Sequence, residues 1–161
     1  MNICKDKRDC AKLSAGKTAE IIVKAIRRKG FSNIVVSAGI SQYQMLYELS
    51  KANIEWWKVN VFQLDDYVGI PRNHPASFGK FLRDSFDKNI ESLKRFTKQI
   101  MKSKAIVCTV TGKHKAKAVK NVVEGKVTDT VPASILKRHR DCWLFLDDAA
   151  AGQIKSSVAS R

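Results

Sequence analysis

The sequence predicts an α/β protein in which a parallel sheet carries helices on both faces, and three observations predict it. Short apolar or β-branched runs alternate with stretches of helical periodicity. Two of those runs, Ile34-Val35-Val36 and Cys142-Trp143-Leu144-Phe145-Leu146, are continuous rather than alternating, as suits strands covered on both sides. The chain has 161 residues with 44% apolar content, enough for one domain with a real core.

In order along the chain, residues 14–28 read as a helix, with Ala19, Ile22, Val23 and Ile26 on one face. Gly30 is placed to end it. Residues 33–37 form the first strand. Residues 41–52 read as a helix with Tyr43, Leu46, Tyr47 and Leu49 apolar, and residues 58–64 as the second strand. Pro71 and Pro75 punctuate a loop, and Pro75 suits the first turn of a helix to Phe86. Leu93, Phe96, Ile100 and Met101 predict a further amphipathic helix. Residues 105–110 form the third strand, 113–123 a helix ended by Gly125, 131–139 a short helix, 142–146 the fourth strand, and 148–154 a last helix. No internal repeat, low-complexity block or linker interrupts this single domain.

No apolar run is long enough to cross a bilayer, which argues against a membrane protein. The first ten residues are polar and charged and lack the apolar stretch of a secretory signal, so the expected location is cytoplasmic. Cys4, Cys10, Cys108 and Cys142 show no metal-binding spacing, and the expectation is small buried thiols without a metal. A Cys4–Cys10 disulfide is disfavoured in a reducing compartment.

Charge is the unusual bulk property. Thirty Lys and Arg stand against fifteen Asp and Glu, a net charge of +15 that attracts phosphate in any form. Residues 91–120 concentrate the excess, with Lys94, Arg95, Lys98, Lys102, Lys104, Lys113, Lys115, Lys117 and Lys120 against Glu91. That stretch lacks an aromatic-interleaved signature and any recognisable nucleic-acid module, so it reads as a solvated basic face and disfavours a nucleic-acid partner.

Ligands of open α/β sheets bind at the carboxyl ends of the strands, and three segments lie there. Ser37-Ala38-Gly39-Ile40-Ser41 joins a strand to a helix. Gly39 permits a tight turn, the helix start offers free N–H groups to a phosphate, and Ser41 can cap the helix or donate to that phosphate. It is also compatible with an ordinary strand–helix turn. Leu64-Asp65-Asp66-Tyr67 leaves the second strand with carboxylates on opposite faces, so one can face a cleft as a general base while the other braces the loop. Thr111-Gly112-Lys113-His114-Lys115-Ala116 places lysines near a helix start, within reach of a phosphate or of solvent. His74 and His139 read as loop and surface residues.

Together these segments resemble the glucosamine-6-phosphate deaminase/isomerase family. Val61-Phe62-Gln63-Leu64-Asp65-Asp66-Tyr67-Val68-Gly69-Ile70-Pro71, followed by His74-Pro75-Ala76-Ser77-Phe78, is similar to its D-E-Y-V-G-[LI]-P...H-P-x-S-[YF] segment. Residues 37–41 resemble its sugar-phosphate loop, with Ile40 in place of a second glycine. Residues 111–116, 122–125, 131–136 and 146–150 extend the likeness nearly to the end. The resemblance implies a three-layer Rossmann-like sheet. It implies conversion of glucosamine 6-phosphate to fructose 6-phosphate and ammonia without metal or redox cofactor. Asp65 would move the proton between sugar carbons 1 and 2, Asp66 would stand beside it, and Gly39, Ser41 and Lys115 would hold the phosphate. A phosphorylated amino sugar is the implied partner, and homo-oligomers are common in the family.

One departure dominates. The family's central G-x-x-G-H-[IL]-A-F-N-[ED]-P segment, which supplies acid/base groups and an arginine, has no counterpart here. Phe86-Asp87-Lys88-Asn89-Ile90 runs into Glu91-Ser92-Leu93-Lys94, so the expected fold is truncated in the middle by an internal deletion near 90–91. The function implied is a deaminase/isomerase with impaired catalysis. A noncatalytic sugar-phosphate-binding relic or regulator is one alternative, and a basic nucleic-acid-binding module another. 6-Phosphogluconolactonase shares the fold, but Asp66-Tyr67-Val68-Gly69 fits the deaminase motif better.

Overall fold

The structure is a computed structural model of the chain. It describes residues 1–37, 39–63, 71, 73–75, 77, 80, 93–95 and 103–155. Its elements are those of an α/β protein with parallel sheets. They are β1 (Asn2–Cys4), α1 (Lys7–Lys29), β2 (Ser32–Val36), α2 (Ile40–Ser50), β3 (Val59–Gln63), β4 (Leu93–Arg95), β5 (Ile106–Val110), α3 (Ala116–Glu124), β6 (Cys142–Asp147) and α4 (Asp148–Ala151). The strands form two three-stranded sheets, ordered β1-β6-β5 and β2-β3-β4. Every strand pair in both is parallel. The chain divides into two compact units, one of Met1–Ser14 with Gln99–Arg161 and one of Ala15–Lys98.

In the first unit the alternation of side chains along β6 separates two cores. Leu144 and Leu146 point to the face covered by α3 and α4, where Val119, Ala150 and Ala151 are buried with Val110 and Val123 against them. Trp143 and Phe145 point to the opposite face and pack with Val107, Cys4 and Cys10 from the start of α1. The period of two along one strand thus builds a helix–sheet–helix sandwich.

In the second unit β2 and β3 pair in register from Ser32↔Val59 to Val36↔Gln63. Val36, Val59 and Val61 are buried, as are Ile22 and Ile26 of α1 and Met45, Leu46 and Leu49 of α2. Of the positions that the helical period marked, Ile22, Ile26, Leu46 and Leu49 are buried, whereas Tyr43 and Tyr47 are exposed; Met45, which the period did not mark, takes an inward place on α2.

Three elements differ from the sequence expectation. α1 begins seven residues earlier than predicted, at Lys7. Asp6 is the cause: its carboxylate accepts the N–H of Asp9 at 2.8 Å, while the Asp9 carboxylate accepts the N–H of Lys5 at 3.1 Å. These two bonds satisfy N–H donors at and just before the helix start. The amphipathic helix expected around Leu93 is corrected at Leu93–Arg95, which is a strand paired to β3; ladder hydrogen bonds override a helical period over so short a run. The helix expected at 131–139 is a 3-10 helix, Pro132–Arg138. The helix expected from Pro75 to Phe86 lies largely outside the described residues. β1 escaped notice because three residues carry no periodicity.

Leu146 is fully buried and sits between α3 and α4. Leu146→Ala is expected to lower unfolding stability by about 2–5 kcal/mol in chemical denaturation. Val35, 54% exposed on β2, is expected to tolerate alanine within about 0.5 kcal/mol.

Candidate functional site

At the carboxyl end of the first unit's sheet the strand order puts β6 between β1 and β5. Its last residue, Asp147, is paired in register with Cys4 and is 3% exposed. The Asp147 carboxylate accepts the N–H of Gly112 with both oxygens, at 2.9 and 3.0 Å, and the N–H of Ala150 at 2.8 Å. It therefore caps α4 and clamps the turn that follows β5. A buried carboxylate is tolerated only when such donors surround it.

Gly112 adopts φ 97°, a conformation that disfavours side chains. A Cβ there would lie 3.0 Å from the His114 ring. The turn leads into the 3-10 helix Lys113–Lys115, where the Lys115 N–H donates to the Gly112 carbonyl at 3.0 Å, and then into α3. Lys113, His114, Lys115 and Lys117 are all exposed. The first turn of α3 contains no acid, so cations crowd the end of the helix that carries the positive pole of its dipole. An anion placed there relieves that repulsion and meets the N–H groups of the helix start.

In the second unit the strand β2 ends at Val36, and Gly39 is the cap residue of α2, extended at φ −125° and ψ 151°. No side chain caps this helix start. The Gln42 N–H bonds to the Gly39 carbonyl at 2.8 Å. Ser41 lies inside the first turn of α2 rather than at the cap, so of the two roles open to it from sequence the cap belongs to Gly39. The Ser41 side chain is outside the described residues. So are Asp65 and Asp66, together with most of the motif around them. Lys115 is an exposed residue of the first unit, whereas Gly39 belongs to the second.

The histidines divide. His74 is exposed, with its N–H bonded to the Pro71 carbonyl. His139 contacts the Ser103 carbonyl at 2.8 Å and accepts the Asp141 N–H at 3.1 Å, so it staples two loops. Among the described residues no group of His, Cys, Asp or Glu is placed to hold a metal ion. Also among them, no helix is long and apolar enough to cross a membrane. Asp147 received no role from sequence, although its signal was legible: a carboxylate between an apolar strand and an Ala-rich helix is a helix cap.

Cys4 and Cys10 lie beside this cluster as free, buried thiols that hydrogen-bond to each other. Burial pushes both thiols well above the ordinary value of 9.0, with the Asp147 carboxylate adding a smaller contribution. Burial likewise raises Cys108 and Cys142.

No protein-family model matches the chain. Glucosamine-6-phosphate deaminase from Thermoanaerobacter sp. (strain X514) is 24% identical over 227 positions, covering 86% of this chain and 90% of the relative. A shorter stretch of 52 residues, 32% of this chain and 22% of the relative, is 56% identical to the deaminase of Oenococcus oeni. Among solved structures, a monomeric glucosamine-6-phosphate deaminase of the NagB superfamily superposes with a TM-score of 0.82 at 17% identity. That superposition covers 94% of this chain and 98% of the other. 6-Phosphogluconolactonase from Trypanosoma brucei follows with a TM-score of 0.78 at 10% identity, covering 96% and 98%.

Two outcomes follow from this geometry. Gly112→Ala is expected to destabilise the protein by about 1–3 kcal/mol through its positive φ, and Asp147→Ala by at least as much through stranded N–H donors, both read by denaturant midpoint. The raised thiols make the second. The folded state holds those protons more tightly than the unfolded one, so stability is full below pH 9 and declines as pH rises further. The thermal midpoint should fall above pH 9, and Cys10→Ser should reduce the slope.

Proposed function

We propose, from its similarity to glucosamine-6-phosphate deaminases, that this chain is a reduced, cytoplasmic member of the glucosamine-6-phosphate deaminase/isomerase family which binds a phosphorylated amino sugar and turns it over poorly. The observation that carries the binding half is the exposed cation cluster at the dipole-positive start of α3, held in place by the Asp147–Gly112 clamp. It falls on the lysine-bearing turn of the family motif. In this reading Lys115 contributes to phosphate binding, as do Gly39 and Ser41 at the start of α2.

Asp65 is the proposed base for proton transfer between sugar carbons 1 and 2, with Asp66 as its neighbour. Both assignments rest on the motif in which they stand. A carboxylate suits the task, since the proton leaves a carbon next to a carbonyl or imine and returns to its neighbour. The impaired turnover rests on an internal deletion near 90–91. The match to the Thermoanaerobacter enzyme runs over 227 positions, whereas this chain has 161 residues in all. The acid/base partners of the family's central segment are missing from the sequence, and each such group contributes about 10²–10⁴-fold.

The test joins turnover to binding. Ammonia and fructose 6-phosphate released from glucosamine 6-phosphate should form at least about 10²-fold more slowly than with a full-length family member, and Asp65→Asn should abolish the remainder. Glucosamine 6-phosphate should raise the thermal midpoint of the wild type, and Lys115→Ala should shrink that shift. A full-length rate overturns the impaired turnover. A folded protein whose midpoint ignores the ligand overturns the binding site.

A further inference from the structure

The second unit collects cations and aromatic rings at the end of its sheet away from the motif loops. α1 ends in Arg27, Arg28 and Lys29. Gly30, at φ 80°, turns the chain into β2, and its N–H closes the helix on the Ile26 carbonyl at 2.7 Å. Phe31, 45% exposed, is the residue before Ser32. On the neighbouring strand the 3-10 helix Trp56–Lys58 leads directly into Val59. Ser32 and Val59 are register partners, so Phe31 and the Trp57-Lys58 pair enter the sheet side by side at its amino end, on strands about 4.8 Å apart. Trp57 is 78% exposed.

The acids nearby are already engaged. Glu20, Glu48 and Glu55 pair with Lys17, Lys51 and Lys58, each three residues away. No acid among the described residues pairs with Arg27, Arg28 or Lys29. Cations at the end of a helix complement its dipole, which accounts for part of this run. The dipole does not account for an indole and a phenyl ring left in water beside it.

We propose that this end of the β2–β3 pair is a binding surface for single-stranded nucleic acid. Trp57 and Phe31 stack on unpaired bases, and Arg27, Arg28 and Lys29 contact the phosphates. Flat rings flanked by cations suit a flexible strand, because every base offers a face to stack upon. A duplex hides those faces. A membrane surface calls for a helix with an apolar side free along its length, whereas α1 buries Ile22 and Ile26 in the unit's core. The basic stretch 91–120 holds Phe96 as its one Phe, Tyr or Trp; two rings come together here because the parallel register joins residues that lie 26 apart in sequence, Phe31 and Trp57.

The test is fluorescence anisotropy of a short labelled oligothymidine titrated with the full chain at several salt concentrations. Three phosphate contacts give a slope of log K against log salt near about −2, at about 0.7 per phosphate released. Trp57→Ala should weaken binding by roughly 5- to 100-fold at fixed salt, the range of one lost stack. Phe31→Ala should act in the same direction. Arg28→Ala should flatten the slope by about 0.7. Circular dichroism melts check that each variant is folded.

The absence of binding at low salt overturns the proposal. So does a folded pair of Trp57→Ala and Phe31→Ala variants that bind as the wild type does. If Lys117→Glu on α3 weakens binding as much as Arg28→Glu, only bulk charge is at work and the site is refuted. Equal affinity for a matched duplex, or for vesicles of anionic lipid, refutes it as well.

Discussion

A buried carboxylate organises the end of the sheet where the lysine-bearing turn stands. Asp147 takes three N–H bonds from two separate segments, Gly112 after β5 and Ala150 in α4. Each of those donors would otherwise be stranded in an apolar setting between two cores. The carboxylate fixes where β5 stops, how the chain turns and where α4 starts. Lys113–Lys115 leave the turn in a direction that this clamp decides. The cation cluster is therefore mounted on the rigid part of the unit, although its own side chains are exposed.

Charge and topology act together in both units. In the first, cations sit at the start of α3, where the helix dipole repels them and an anion is welcome. In the second, cations sit at the end of α1, where the dipole attracts them. The same residue types thus carry opposite electrostatic meaning. The first arrangement carries a repulsion that a bound anion would relieve, and the second carries none. Only exposed rings single out the second as a surface with a partner.

Much of the fold was legible because its strands are short continuous apolar runs and its helices bury clear stripes. β2, β3, β5 and β6 each fall within a residue or two of their expected places. What the sequence hid depended on partners. β4 became a strand through pairing with β3, and α1 gained its first turns from the Asp6 carboxylate that accepts the Asp9 N–H and the Asp9 carboxylate that accepts the Lys5 N–H. The candidate site was read from sequence as three motif segments. Gly39 and Lys115 sit at helix starts as those motifs imply, whereas Asp65 and Asp66 belong to the motif alone. Asp147 was legible as the cap of α4, but its clamp on Gly112 was hidden because that donor comes from 35 residues away. Likewise, the meeting of Phe31 with Trp57 exists only in the register of two strands.

The edge position of β2 has a colloidal consequence. Among the described residues it is a terminal strand of its sheet, with Val35 exposed, and an uncovered strand edge is a template for pairing with another chain. The protein carries no proline within β2 to blunt it. A net charge of +15 opposes such a meeting of two copies, through a repulsion that reaches about 8 Å at physiological ionic strength. That opposition lies in bulk charge, whereas other sheets build theirs into the strand itself. Concentrated salt, or a polyanion that neutralises several chains at once, removes that opposition and leaves the edges free to meet.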